Sequence, residues 1–154
     1  MLRKLFPLTL LIWPYLIVIP FLFQLDVIVY YLPTLLIVLL ANIIFACTVK
    51  GEDAAGCLLT WNCRIKLAHI PVYSVIFLLG FAAPIAIPLL VAVDVILMVA
   101  SSVYGINGLI HSRKQGYITA KVLFLHIAFH FVFVLDVISA LYLRIKVCKQ
   151  LERS

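Results

Sequence analysis

The feature that most constrains this chain is an apolar run of 43 residues, 68–110, in which Asp94 is the only charged residue. As one helix it would extend roughly 64 Å at ~1.5 Å per residue, about twice the hydrocarbon thickness of a bilayer. The run must therefore fold back on itself. The segment AAPIAIP is the expected turn, because Pro84 and Pro88 disfavour a continuous helix there.

The composition extends this argument to the whole chain. The mean hydropathy is +1.24 and only 12% of the residues are charged, whereas about a quarter is typical of soluble proteins. We therefore predict an all-α fold, a polytopic helical membrane protein that forms a single integral membrane domain over residues 1–154. The net charge of +6 comes from basic residues near the ends of apolar runs. There they set topology and meet lipid headgroups, so we expect a lipid bilayer and no nucleic acid as partner.

Five apolar runs give the predicted arrangement. The predicted spans are residues 5–23, 27–49, 68–85, 86–110 and 120–146, with a polar loop at 50–66. The first is expected to be retained, because no small-residue cleavage site follows it. Five spans place eight basic residues inside and four outside, with the C-terminal tail outside. Four spans plus a re-entrant segment would place nine basic residues inside and three outside, which fits the positive-inside rule slightly better. We nevertheless expect five spans, because irregular backbone in contact with lipid is costly. We expect the plasma membrane, the inner membrane of a bacterium.

The stretch LTWNCRIKL, residues 59–67, alternates apolar and polar side chains without a break. This is the period of a β-strand. We interpret it as an interfacial segment with Trp61 at headgroup depth. An exposed strand that pairs with a partner is the alternative.

The run HIAFHFVFVLDVI contains three groups that lipid penalises: His126, His130 and Asp136. Pairing the last two predicted spans as an antiparallel hairpin centred on Lys114 puts two aspartates at nearly one depth, because Asp94 lies 20 residues before that centre and Asp136 lies 22 after it. We therefore predict that the two aspartates share a buried site.

Residues at the same depth in this hairpin include hydroxyl groups, and one face of the preceding helix carries small residues. The candidate proton or ion pathway consists of Asp94, Asp136, His130, His126, Tyr104 and Ser101. At 100° per residue, Gly105 and Gly108 lie on the helical face of Asp94 and Ser101, where small residues would let two helices approach closely.

Motifs for catalysis are absent from the sequence. It contains no H-E-x-x-H, G-x-S-x-G or phosphate-binding glycine loop, and its four cysteines form no C-x-x-C pair. His126 and His130, four residues apart, could share one metal ion, but two histidines are a weak metal signal. We therefore expect no cofactor, and an enzymatic role is not favoured.

Three functions fit these features. The first is a structural or accessory membrane subunit that binds a partner, with the Asp and His groups fastening helices. The alternative is a small proton or cation channel or transporter, since ionisable residues inside a membrane are functional candidates. The third is a metal protein or enzyme that uses the two histidines. The chain is too short to enclose a wide pore alone, so we expect a homo- or hetero-oligomer.

Overall fold

The structure, a computed structural model, describes residues 2–16, 28–51, 53–82, 84–130 and 133–151. Within these ranges the chain forms six α-helices and one 3₁₀ turn, so the all-α prediction is confirmed. The helices are α1 (Leu2–Leu16), α2 (Ile28–Thr48), α3 (Ala54–Ala82), α4 (Ile87–Lys114), α5 (Ala120–Phe129) and α6 (Phe133–Leu151). The end of the first predicted span and the start of the second lie outside the described residues.

The longest apolar run divides at a 3₁₀ turn, Pro84–Ala86, within the segment that the sequence predicts as a turn. Helices α3 and α4 meet on either side of it and make the most extensive contact between helices of the described chain. The next extensive contact of α3 is with α6, and α3 also packs against α1. Helix α3 is therefore the element on which α1, α4 and α6 pack, whereas α2 and α5 contact α4.

Two hydrophobic clusters hold this arrangement together. One joins α1, α2, α3 and α4 through residues such as Leu10, Leu39 and Leu58. The other joins α3, α4 and α6 through Leu59, Leu109 and Leu143. Both clusters use the first half of α3, so burial of apolar surface fixes this part of the helix against its neighbours.

The start of α3 differs from the prediction. Residues 54–66, expected as part of a polar loop, are helical, and the strand interpretation of residues 59–67 is wrong. The buried positions include Leu58, Asn62, Ile65 and Lys66, which recur at helical spacing. The alternation was misleading because two polar residues of this stretch, Asn62 and Lys66, face the interior of the protein.

The last predicted span also differs, because residues 120–146 do not form one helix. Helix α5 ends at Phe129, His130 forms a turn, and α6 begins at Phe133. The turn before α5 contains Gly116 at φ 79°, a left-handed conformation that glycine adopts without steric cost. Helix α6 packs more extensively against α3 than against α4.

One described stretch, Val91–Lys114 in α4, is long and apolar enough to cross a membrane by length and composition. It has 24 residues, and 44% of its most apolar window is buried inside the protein. Shorter apolar helices are Leu5–Leu16, Pro33–Thr48 and Ala120–Phe129.

Candidate functional site

A buried ionic cluster joins the centre of α3 to the start of α6. Asp136 forms an ion pair with Lys66 and another contact with His130, both through Oδ1. Lys66 Nζ also lies 3.2 Å from His130 Nδ1. The side chains of Lys66 and Asp136 are only 2% and 6% exposed, so the pair is shielded from solvent. We call Lys66, His130 and Asp136, with their neighbours Asn62 and Ser102, the central polar cluster.

Local structure places each charged member. On α3, Asn62, Lys66, His69 and Tyr73 follow one another at spacings of four, three and four, and all are buried. Such spacing puts them on one helical face. Asp136 lies in the first turn of α6, where the positive end of the helix dipole favours a carboxylate.

Small and polar groups on α4 surround the cluster. Lys66 Nζ donates to Ser102 Oγ at 3.5 Å. A Cβ atom added to Gly105 would overlap the His130 ring and lie 3.0 Å from Asn62 Nδ2. Gly105 therefore leaves the space that the His130 ring occupies. Within the described part of the chain, His130 Nε2 and both polar atoms of the Asn62 side chain are buried without a hydrogen-bond partner.

Other polar side chains fasten helices away from this cluster. Tyr104 donates to Asn42 Oδ1 at 2.6 Å, and Asn42 Nδ2 donates to Thr9 Oγ1 at 3.2 Å. This chain of bonds connects α4, α2 and α1. His126 Nδ1 lies 2.6 Å from Ser139 Oγ and connects α5 to α6.

A separate pocket opens between α3 and α4 near the turn that joins them. Its volume is about 780 Å³. The residues that characterise its lining are Ile70, Tyr73, Phe77, Phe81, Val91 and Asp94. We call these residues the hairpin pocket. One oxygen of Asp94 is buried and has no hydrogen-bond partner among the residues that the structure describes.

Comparison with known proteins places the chain in a family. Residues 11–150 match the model of a family of unknown function, DUF6652. The chain belongs to this family. The match includes every residue of the central polar cluster and the hairpin pocket. No curated protein and no solved structure matches the chain.

In this DUF6652 chain, the candidate residues from the sequence are distributed over several places. Asp136 and His130 are in contact, whereas Asp94 lines the hairpin pocket. The structure therefore gives Asp136 a basic partner on α3 and leaves Asp94 at a different site. Ser101 donates to the carbonyl of Met98 in its own helix, at 3.0 Å.

The two glycines predicted for helix packing lie against different neighbours. Gly105 faces His130, as described above. A Cβ atom on Gly108 would lie 2.8 Å from Leu59 Cγ and 3.2 Å from the Leu59 backbone nitrogen. At Gly108 the backbones of α3 and α4 therefore approach closely.

Sequence reasoning missed Lys66, the residue that completes the ion pair. A helical spacing of polar residues could have identified it: Asn62, Lys66, His69 and Tyr73. The strand-like alternation of residues 59–67 obscured this helical pattern. The two histidines that could share a metal ion have different partners, since His126 contacts Ser139 and His130 contacts Asp136. In the described ranges, no three His, Cys, Asp or Glu residues are grouped so that they could hold a metal ion.

Proposed function

We propose that this chain is a multi-pass membrane protein that acts as a structural or accessory subunit and binds a partner. Its plasma-membrane location and its five-span arrangement are parts of the same proposal. The central polar cluster fastens its helices internally, and the hairpin pocket is the surface that receives the partner.

The outer surface supports insertion of several helices into lipid. Large apolar side chains that face outward occur on α2, α3, α5 and α6 as well as on α4. Examples are Ile37, Leu40, Ile44, Phe77, Leu78, Phe81, Phe124, Ile138 and Ile145. Apolar surface on this scale indicates contact with a membrane or with another protein. Several helices are therefore expected to cross the bilayer with α4.

The observation that carries the accessory role is the difference between two aspartates. Asp136 is neutralised inside the protein by Lys66, which suits a fastener between α3 and α6. Asp94 is different, because it lines an open apolar pocket and one of its oxygens lacks a partner within the described ranges. A carboxyl group in such surroundings gains stability when another molecule supplies a donor.

Topology is tested by reporter fusions. We expect a reporter at residue 51 to lie inside and one after Ser154 to lie outside. A finding that both lie on one side would replace the five-span arrangement by four spans with a re-entrant segment.

The accessory role is tested by isolating the full chain from its native membranes in a mild detergent. The expected result is a complex much heavier than the 17.3 kDa chain, with defined stoichiometry by native mass spectrometry. The Asp94→Leu variant should enter the membrane and release the partner. A wild-type protein that is monomeric in its native membrane would contradict the accessory role.

A proton-transport function is the second candidate, and one observation favours it. Polar side chains run from Ser102 through Lys66 and Asp136 to His130, whose Nε2 faces inward without a partner in the described chain. Histidine can exchange protons near neutral pH. If this function is correct, wild-type protein in vesicles should carry a pH-dependent proton flux. A folded Asp136→Asn variant should lose it. Vesicles without flux from acid to neutral pH would eliminate this candidate.

A further inference from the structure

We infer that the hairpin pocket binds one transmembrane helix of a partner protein, and that this helix carries a lysine or arginine that forms an ion pair with Asp94. The inference rests on the proposed accessory function and specifies the chemistry of the partner. No basic side chain of this chain lines the pocket among the described residues.

The shape of the pocket fits the side chains of a helix. On α3 its lining residues Ile70, Tyr73, Phe77 and Phe81 are spaced by three, four and four residues, so they form one stripe. The eleven steps from Ile70 to Phe81, at ~1.5 Å rise each, give a groove roughly 16 Å long, which is about three helical turns. The groove runs along the helices that form it, as grooves that receive a partner helix do.

The rim extends this surface beyond the pocket. Phe77 and Phe81 pack edge to face at 5.0 Å between ring centroids, yet they are 66% and 72% exposed. A small molecule inside the pocket would leave most of this aromatic surface uncovered. A helix lying along the groove would cover both the pocket and its rim.

The chemistry of the lining specifies the charge of the occupant. The pocket surface is mostly apolar, and among the described residues that line it Asp94 is the one ionisable carboxyl. The Ser74 hydroxyl in the lining already donates to the carbonyl of Ile70 at 3.0 Å. The Asp94 side chain lines the pocket, and its buried oxygen has no hydrogen-bond partner among the described residues. An ammonium or guanidinium group that enters the pocket is the donor that this carboxylate would bind most strongly.

A single carboxyl group also argues against an inorganic cation, since Ca²⁺ takes six to eight oxygen ligands. A basic residue in the middle of a membrane helix is costly in lipid and is stabilised by an acidic partner. Association therefore stabilises both charged groups, the basic residue that would otherwise face lipid and the Asp94 carboxyl in its apolar pocket.

The test uses the full-length chain in phosphatidylcholine vesicles and synthetic leucine-rich helices of about 20 residues, long enough to span the bilayer. One helix has a central lysine, and its matched control has methionine there. Each carries a photoreactive group beside the central residue, so that cross-linked sites can be located by mass spectrometry. Asp94→Asn is the pocket variant. Asp53→Asn, in the exposed loop before α3, is its control.

The expected result is cross-linking of the lysine helix at Phe77, Phe81 or Val91, with an affinity at least about tenfold above that of the methionine helix. Asp94→Asn should remove this preference, and Asp53→Asn should retain it. An unchanged melting temperature will show that Asp94→Asn is folded. Phe77→Ala should weaken the binding of both synthetic helices equally, because it removes apolar contact and leaves the Asp94 carboxylate in place.

Two results would overturn the inference. One is equal binding of the lysine and methionine helices. The other is binding of dodecylamine that requires Asp94 while neither helix binds, which would assign the pocket to a small amphiphilic amine. Failure of the accessory role is a separate result: the chain would be monomeric in its native membrane while still preferring the lysine helix in vesicles.

Discussion

Asp136 and Asp94 both lie among apolar residues, but their surroundings are opposite. Asp136 is enclosed by Lys66 and His130 inside the helix bundle. Asp94 borders an open pocket, and one of its oxygens has no partner in the described structure. An acidic residue in an apolar helix is therefore not by itself a transport or structural signal. Its role depends on whether its own chain supplies the opposite charge.

The largest effect expected from this comparison comes from removing the base of the central polar cluster. Lys66→Met leaves Asp136 buried without its ion-pair partner, which should cost about 3–5 kcal/mol of unfolding free energy. Reversible unfolding in mixed micelles measures this cost. Lys121→Met, on an exposed position of α5, is the matched control and should leave stability unchanged. Similar stability of the two variants would show that the ion pair does not hold the fold together.

A smaller effect is expected where α4 makes room for the cluster. Gly105→Ala should cost about 1–3 kcal/mol, because its methyl group overlaps His130. Gly80→Ala is the control, since among the described residues a Cβ atom there meets Ile87 Cγ1, at an ordinary contact distance of 3.9 Å. The control should be neutral or slightly stabilising, since alanine is the better helix former. Equal losses at both glycines in the same unfolding assay would refute the proposed role of Gly105.

The bond between α4 and α2 should contribute less. Tyr104→Phe removes the donor to Asn42 and should cost about 1 kcal/mol, with a somewhat larger loss if the Asn42 oxygen is left unsatisfied. Thermal unfolding in detergent measures the change. Tyr142→Phe is the control, because that tyrosine is half exposed and uses its ring to stack on His126. A melting temperature for Tyr104→Phe that matches the control would show that the bond does not contribute.

The smallest effect on stability should come from the second aspartate. Asp94→Asn should change the unfolding free energy by less than about 0.5 kcal/mol, because the described chain gives this carboxyl no ion pair to lose. The same unfolding assay provides the measurement. A loss as large as that of Lys66→Met would mean that Asp94 also fastens the bundle.

Several features of the fold follow directly from the sequence. The all-α class follows from long apolar runs, and the two prolines at 84 and 88 indicate where the longest run turns. The residues Asp136 and His130 could be singled out because lipid penalises them. These features depend on local chemistry, which a single sequence displays.

The ion pair depends on tertiary geometry and could not be derived in the same way. Counting residues from Lys114 assumed one straight hairpin, but the chain turns at His130 and α6 packs on α3. Asp136 therefore meets Lys66, a residue from a different helix than the predicted partner. The alternation around Lys66 also matched a strand period, and only burial of Asn62 and Lys66 on one helical face resolves that ambiguity.

A double-mutant cycle between Lys66 and Asp136 tests the central claim most directly. Lys66→Met and Asp136→Leu are made singly and together, and the unfolding free energy of each is measured in the same micelles. We predict a double variant that is more stable than either single variant, with a coupling energy of about 3 kcal/mol, because replacing both charges leaves neither one buried alone. Losses that simply add would contradict the claim that these two residues fasten α3 to α6.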